Sequence, residues 1–223
     1  VALKYKFKNR PILLIDTAGQ RKQSRRVDRV ENISVLDAWR YVRQAHVVLL
    51  LLDIQNPLEQ QDLTIARKAF DEGKIVIFVL HKSDTMENPD EALDSVRQRI
   101  QKEFAQLPGA ACLLASAKEK KGLARIFNVA IKLYDDWNRR LPAAALNKWL
   151  RTAVQENPPP LINGMPIKLK YISQTNTKPP TFTVFTNKMR HVPISYARYL
   201  LNHFRRSFDI YGVPLRLFLR QNV

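Results

Sequence analysis

Along the first 140 residues, short aliphatic and β-branched runs alternate with longer stretches whose apolar positions recur every three or four residues. That alternation predicts an α/β architecture, a mostly parallel sheet flanked by helices. Strands are expected over residues 4–7, 12–15, 47–53, 75–80 and 111–114. The runs from Val47 to Leu52 and from Ile75 to Leu80 are apolar throughout, the pattern of strands covered on both faces. Helices are expected over residues 35–44, 60–72, 90–107 and 122–140. In the last, Leu123, Ile126, Phe127, Ala130, Ile131 and Tyr134 form an apolar stripe with Lys and Arg off it. Asn88-Pro89-Asp90 predicts a helix start, because Pro89 suits a first turn and Asp90 complements the helix dipole.

After Arg140 the texture changes. Leu141-Pro142 interrupts the pattern, a helix is expected over residues 144–155, and Pro158-Pro159-Pro160 stops it. Strands over 167–174 and 181–187 are joined through Thr177-Lys178-Pro179-Pro180. A basic amphipathic helix over 194–208 and a strand over 215–219 complete the order helix, strand, strand, helix, strand. The chain therefore reads as two domains, residues 1–140 and 141–223, a division that 223 residues allow. The charge-dense stretch from Arg21 to Arg29 is predicted as a mobile loop.

Charge adds a partner to this picture. Lys and Arg number 37 against 20 Asp and Glu, a formal charge of +17, which points to a polyanion. Residues 141–223 carry 12 basic and 2 acidic side chains, net +10, against 25 and 18, net +7, before them. The asymmetry favours nucleic acid over an acidic small molecule, with an anionic membrane surface as a further reading. Cys112 is the one cysteine, which excludes a disulfide framework and a Cys-based metal site. The apolar runs are far too short to cross a bilayer, and no charged-then-apolar signal precedes them, so a cytoplasmic protein is expected.

The candidate chemistry lies where predicted strands end. Asp16-Thr17-Ala18-Gly19 follows the second strand, and the carboxyl edge of an α/β sheet is where ligands bind. A carboxylate such as Asp16 can hold Mg²⁺ through water, and the Gly19 N–H can approach a phosphate oxygen unobstructed. A capped strand-to-loop junction is the other reading of these four residues. His81-Lys82-Ser83-Asp84 follows the run Ile75 to Leu80 and resembles the Asn-Lys-x-Asp motif of Ras-like GTPases. That resemblance implies that Asp84 accepts two hydrogen bonds from guanine, that the Lys82 stem covers the base, and that adenine is rejected. His81 stands where those proteins have Asn. Ser116-Ala117-Lys118 follows the strand over 111–114 and resembles their Ser-Ala-Lys motif, which implies a contact from the Ala117 N–H to guanine O6. Three motifs in the right order, each at the end of its own strand, reinforce one another.

Gln20 directly follows the first motif. In Ras-like hydrolases a Gln there positions the attacking water; the other reading, one more polar residue opening a basic loop, stays open. No G-x-x-x-x-G-K-[ST] phosphate loop occurs, and the chain holds six glycines in all. Only 15 residues precede Asp16, room for about one hairpin. The sequence thus reads as a Ras-like P-loop GTPase domain truncated at its N-terminus, a fragment that binds GTP poorly and hydrolyses it negligibly by itself.

The tandem of this core with a basic αββαβ tail resembles the Der (EngA) family of bacterial ribosome-assembly GTPases, from the second strand of their second GTPase domain through their C-terminal KH-like domain. Carrying the likeness are Val30-Glu31-Asn32-Ile33-Ser34-Val35-Leu36, Glu59-Gln60-Gln61-Asp62, Pro158-Pro159-Pro160, Lys178-Pro179-Pro180-Thr181-Phe182 and Pro193-Ile194-Ser195-Tyr196. The resemblance implies a small α+β KH-like domain after the GTPase domain. It further implies a GTP-binding and GTP-hydrolysing switch in biogenesis of the large ribosomal subunit, with GTP or GDP, Mg²⁺ and K⁺ as cofactors. Large-subunit rRNA and guanine nucleotide are the implied partners of a monomer with no membrane association. The nucleotide-binding set carried over is Asp16, Thr17, Ala18, Gly19, His81, Lys82, Ser83, Asp84, Ser116, Ala117 and Lys118, with Gln20 as the catalytic candidate. Gln20 stands where the family usually has an aliphatic residue. His81 and the missing loop also support a second reading, a non-catalytic RNA- or ribosome-binding scaffold with a degenerate pocket.

In the helix over 194–208, Arg198, Arg205 and Arg206 are expected to face phosphates, while Ala197, Leu200, Leu201, Phe204 and Phe208 supply the apolar side. The Gly-x-x-Gly clamp of KH domains is absent, so RNA contact is expected to be electrostatic and shape-driven. Docking of this surface onto the GTPase domain is the other reading.

Overall fold

The computed structural model describes residues 2–16, 42–162, 164–188 and 192–221. The chain divides into two compact units, Val1–Gln106 with Ala110–Lys132, and Leu107–Gly109 with Leu133–Val223.

The first unit opens with an antiparallel hairpin of β1 (Ala2–Phe7) and β2 (Arg10–Ile15), paired from Ala2 opposite Ile15 to Phe7 opposite Arg10. Lys8 and Asn9 form its turn with φ of 47° and 64°. Positive φ at both central residues gives a two-residue turn the twist that the strands need. There follow β3 (Val47–Asp53), α1 (Gln60–Asp71), β4 (Ile75–His81), α2 (Pro89–Glu103), β5 (Ala111–Ala115) and α3 (Leu123–Asn138), whose residues from Leu133 onward belong to the second unit. Strands β3, β4 and β5 form a parallel sheet in that order. β4 is central, and Ile75 through Leu80 are all buried.

β3 departs from expectation. Leu50 and Leu52 are buried, but Leu49 and Leu51 are 37% and 59% exposed. The run is as apolar as β4, yet among the described residues β3 lies at the edge of the three-stranded sheet, with the Leu49 and Leu51 side left open. The apolar stripe of α3 also differs from the expected one. Its buried residues are Ile126, Leu133 and Trp137, whereas Leu123 is exposed. Helix α2 starts at Pro89 as expected but ends at Glu103. Phe104 leaves the helical conformation, and its buried ring packs on Phe78 with centroids 5.8 Å apart. Helix α1 begins with a capping box in which the Asp62 carboxylate accepts from the Glu59 N–H at 3.0 Å. Of the helix expected over 35–44, residues 42–44 are helical and the rest lie outside the described residues, as do the Arg21 to Arg29 stretch and the Val30 to Leu36 segment.

The second unit contains α4 (Ala143–Glu156), a short ribbon of β6 (Leu161–Ile162) and β7 (Met165–Pro166), β8 (Leu169–Thr177), β9 (Pro180–Thr186), α5 (Ile194–Phe208) and β10 (Arg216–Gln221). The ribbon adds to the expected order; two-residue strands carry no periodicity for a sequence to show. The sheet order is β10-β9-β8, with β8 antiparallel and β10 parallel to the central β9. Phe182 and Val184 of β9 are fully buried against the helices, where the Phe182 ring lies 4.4 Å from Phe204 of α5. Trp149 of α4 packs edge-on against the same Phe204 at 4.9 Å.

Two polar devices complete this core. The Asn147 side chain of α4 accepts from the Ile172 N–H at 3.1 Å and donates to the Ile172 carbonyl at 3.2 Å, so it satisfies the outer edge of β8 as a neighbouring strand would. The Trp149 indole donates to His203 Nδ1 at 2.8 Å, which leaves the His203 proton on Nε2, 3.0 Å from the Glu156 carboxylate.

Candidate functional site

The register of the parallel sheet brings two of the three expected motifs, His81–Asp84 and Ser116–Lys118, together. His81 of β4 lies opposite Ala115 of β5 and opposite Asp53 of β3. The segments that follow therefore leave the sheet side by side at its carboxyl edge, where α/β sheets place ligands.

Ser116 is the joint between them. Its hydroxyl donates to the Asp84 carboxylate at 2.5 Å and accepts from the Glu119 N–H at 3.1 Å. Its backbone exchanges hydrogen bonds of 3.1 and 3.0 Å with Lys121, and the residue is fully buried. Asp84 itself is partly open to solvent. The Ser116 hydroxyl holds its carboxyl below the usual range, helped by a backbone N–H and by the charges of Lys118 and His81, against a smaller opposing effect of burial. One oxygen is tied to Ser116, and an ionised carboxylate retains capacity for further donors. Such a group, charged and fixed in direction, suits a ligand that presents paired N–H donors.

Because the folded-state pKa is depressed, the stabilisation from ionised Asp84 is complete above about pH 4 and is lost as pH falls through the lowered value. Ser116→Ala should move the Asp84 midpoint upward, toward the unfolded value, in a carboxyl-detected NMR titration. An unchanged midpoint would remove Ser116 as the cause.

Lys82 has φ of 63° and opens a short turn closed by Thr85, whose N–H and hydroxyl donate to the Lys82 carbonyl at 3.0 and 2.8 Å. Its ammonium donates to the Asp53 carboxylate at 2.6 Å, and the other Asp53 oxygen accepts from the Gln55 N–H at 3.1 Å. An exposed pair of this kind is worth roughly 0–1 kcal/mol, so its role is to aim the lysine stem. Asp53 was not among the residues picked out from the sequence. It ends an apolar strand, much as Asp16 directly follows one, and that position at a strand's carboxyl end was its signal. Gly122 closes the second loop at φ 88°, where an added Cβ would lie 2.4 Å from the Leu114 carbonyl oxygen.

Residues 1–136 match the family described as Elongation factor Tu GTP binding domain. The chain belongs to that GTP-binding-domain family. Residues 140–220 match the KH-domain-like C-terminal region of EngA bacterial GTPase enzymes. The chain is 38% identical over 221 residues to GTPase Der of Parvibaculum lavamentivorans, covering 99% of this chain and 47% of that protein. It is 41% identical over 220 residues to GTPase Der of Ruegeria sp. (strain TM1040), covering 99% and 45%. The chain thus spans about half the length of the curated relatives it matches. Among solved structures, an Era variant of Aquifex aeolicus bound to GDP and AlF4⁻ is similar, with a TM-score of 0.51 at 17% identity, covering 99% of this chain and 79% of that one. Era in complex with MgGDPNP and nucleotides 1506–1542 of 16S ribosomal RNA matches with the same TM-score at 16% identity and the same coverage. At these identities the likeness concerns the fold, a P-loop GTPase domain followed by the KH-like one.

Of the nucleotide-site residues expected from the sequence, Asp16, His81, Lys82, Ser83, Asp84, Ser116, Ala117 and Lys118 are among the described residues. Asp16 directly follows β2 and is exposed. Thr17, Ala18, Gly19 and Gln20 lie outside the described residues. Among the described residues, no three His, Cys, Asp or Glu side chains gather as a metal site would need, and no helix is long and apolar enough to cross a membrane. Cys112 is buried in β5, and burial pushes its thiol up to about 12.

In the KH-like unit, Arg198 and Arg206 are exposed on α5. Arg205 is not: it is 1% exposed, and its Nη1 donates to the Ile210 and Val213 carbonyls at 3.0 and 3.2 Å. This corrects the expectation that Arg205 faces phosphates. Its guanidinium instead holds the segment after α5, where Asp209 ends the helix at φ 49°.

Proposed function

We propose that this chain provides the guanine-recognising half and the basic C-terminal module of a GTP-binding, GTP-hydrolysing switch protein of the cytoplasm that acts in biogenesis of the large ribosomal subunit. The observation that carries the reading is the Ser116 to Asp84 hydrogen bond, which fixes two sequence-distant loops as one site. In it, Asp84 accepts from the ring N–H and amine of guanine, the Lys82 stem covers the base, the Ala117 N–H meets O6, and His81, Ser83, Ser116 and Lys118 shape the loops. Adenine leaves Asp84 without its donors and is rejected. The phosphate side is assigned to Asp16, Thr17, Ala18 and Gly19, with Mg²⁺ held by Asp16 through water, K⁺ as a second cation and Gln20 directing the attacking water. Of that side only Asp16 is among the described residues, and its place at a strand end fits an outer-sphere ligand. Bound Mg²⁺ supplies charge neutralisation at the phosphates.

Membership of the GTP-binding family and the Der relatives support the nucleotide. The net +10 of residues 141–223 supports rRNA as partner, as does the likeness to an Era that was crystallised with 16S rRNA.

Saturation-transfer NMR on this chain with millimolar GDP or ADP tests the base specificity. GDP should receive magnetisation and ADP should not. Asp84→Asn should weaken GDP by roughly 100-fold or more while favouring xanthosine diphosphate, whose extra carbonyl accepts from the Asn amide. Equal signals from GDP and ADP would overturn the reading. His81 favours the second reading, a scaffold with a degenerate pocket; it gains if His81→Asn shows no more GDP binding than a silent wild type.

A further inference from the structure

The β8-β9-β10 sheet carries its helices on one face, and its other face has a composition that the α5 arginines do not explain. The register sets out that face in rows. Tyr171, Phe185 and Arg220 lie side by side, followed by Ser173, Thr183 and Phe218, with Thr181 and Arg216 beyond. The Tyr171 and Phe185 rings are stacked, with centroids 4.3 Å apart and planes 16° from parallel. Tyr171 is 39% exposed and Phe218 is 54% exposed. Phe218 is one strand over and two residues along from Phe185, roughly 8 Å away by sheet spacings. Strands β8, β9 and β10 contain no Asp or Glu; their charged residues are Lys170, Arg216 and Arg220.

Exposed apolar rings alone would suit many partners. Rings interleaved with cations, in a surface free of carboxylates, match a polyanion that also offers flat π-faces. We propose that this sheet face is a stacking platform for single-stranded RNA, with Phe218 and the Tyr171–Phe185 pair each taking a base and Arg220 neutralising the backbone beside them. A duplex keeps its bases stacked on one another and cannot use the rings. The proposal rests on the RNA reading above and adds sequence-tolerant base contact on the sheet to the phosphate contacts expected of helix α5.

The test is fluorescence anisotropy of the full chain with a labelled oligouridylate of about 12 nucleotides and with an RNA hairpin, across a salt series. Phe218→Ala should weaken oligouridylate binding roughly tenfold with an unchanged salt slope, because stacking is not ionic. Phe218→Leu should lose nearly as much, since bulk without a π-face does not stack. Arg220→Gln should lower the salt slope by about one. The platform is overturned if Phe218→Ala and Tyr171→Ala both bind as wild type does while Arg198→Ala and Arg206→Ala lose affinity; RNA binding would then stand without it. No binding of either RNA by the wild type at low salt would sink the RNA reading itself. A wild-type dimer in sedimentation that Phe218→Ala converts to monomer would make the face a self-association surface and overturn the proposal.

Discussion

Arg205→Ala should lower the unfolding free energy of the C-terminal unit by about 3–5 kcal/mol. The side chain is the largest fully buried one in the described residues, and it spans the junction between α5 and the approach to β10. Removing it leaves the Ile210 and Val213 carbonyls without this donor, each a loss of roughly 1–3 kcal/mol, and opens a cavity beneath them. Burial lowers the Arg205 pKa to about 10, still far enough above neutrality that the guanidinium stays charged and both bonds are charge-assisted. Trp137 and Trp149 lie buried in the same unit, so urea unfolding followed by tryptophan emission reports the loss. Arg205→Lys keeps the charge without the planar fork and should fall between the two. The neighbouring Arg206→Ala is exposed and should unfold with wild type. If Arg205→Ala and Arg206→Ala unfold at the same denaturant concentration, the structural role given to Arg205 is wrong.

Gly122→Ala should disrupt the loop after β5, at a cost of about 2–4 kcal/mol. Two effects combine there. The φ of 88° is strained for any residue with a Cβ, and that Cβ would meet the Leu114 carbonyl oxygen at 2.4 Å and the Ala115 Cα at 3.0 Å. Those are backbone atoms at the end of β5, locked by the register with β4, so the loop must give way. Movement at residue 122 pulls Lys121 from its backbone bonds to Ser116 and thereby the Ser116 hydroxyl from Asp84. The expected signature is double: a lower melting temperature and an Asp84 titration shifted upward. Gly164→Ala is the control. It also has a positive φ, 73°, but nothing lies within 4 Å of its added Cβ, so it should cost only about 1 kcal/mol. A Gly122→Ala protein with unaltered melting and Asp84 titration would show that the loop can relax around the methyl group.

Arg205 shows charge and spacing pointing in opposite directions. It follows Leu201 by four residues and precedes Phe208 by three, so it sits within the apolar stripe of α5. Its charge suggests the solvent side, whereas its spacing places it inside. Arg206, one position on, is turned by about 100° and does face out. For β3 the difficulty was of another kind. Val47 to Leu52 and Ile75 to Leu80 are equally apolar, and which of two such strands is central depends on sheet order, which no local pattern contains.

The sequence by itself determined the element order apart from the β6-β7 ribbon, and the two-part organisation of charge, because periodicity, turn residues and charge are local properties of the chain. Only the tertiary structure decided which side chains meet. Ser116 reaches Asp84 across 32 positions because two parallel strands run in register, and Asp53 joins Lys82 for the same reason. Tyr171, Phe185 and Phe218 become one surface only when β9 pairs with a strand on each side. Register is set by how whole faces bury, so contacts between distant residues are consequences of the complete fold.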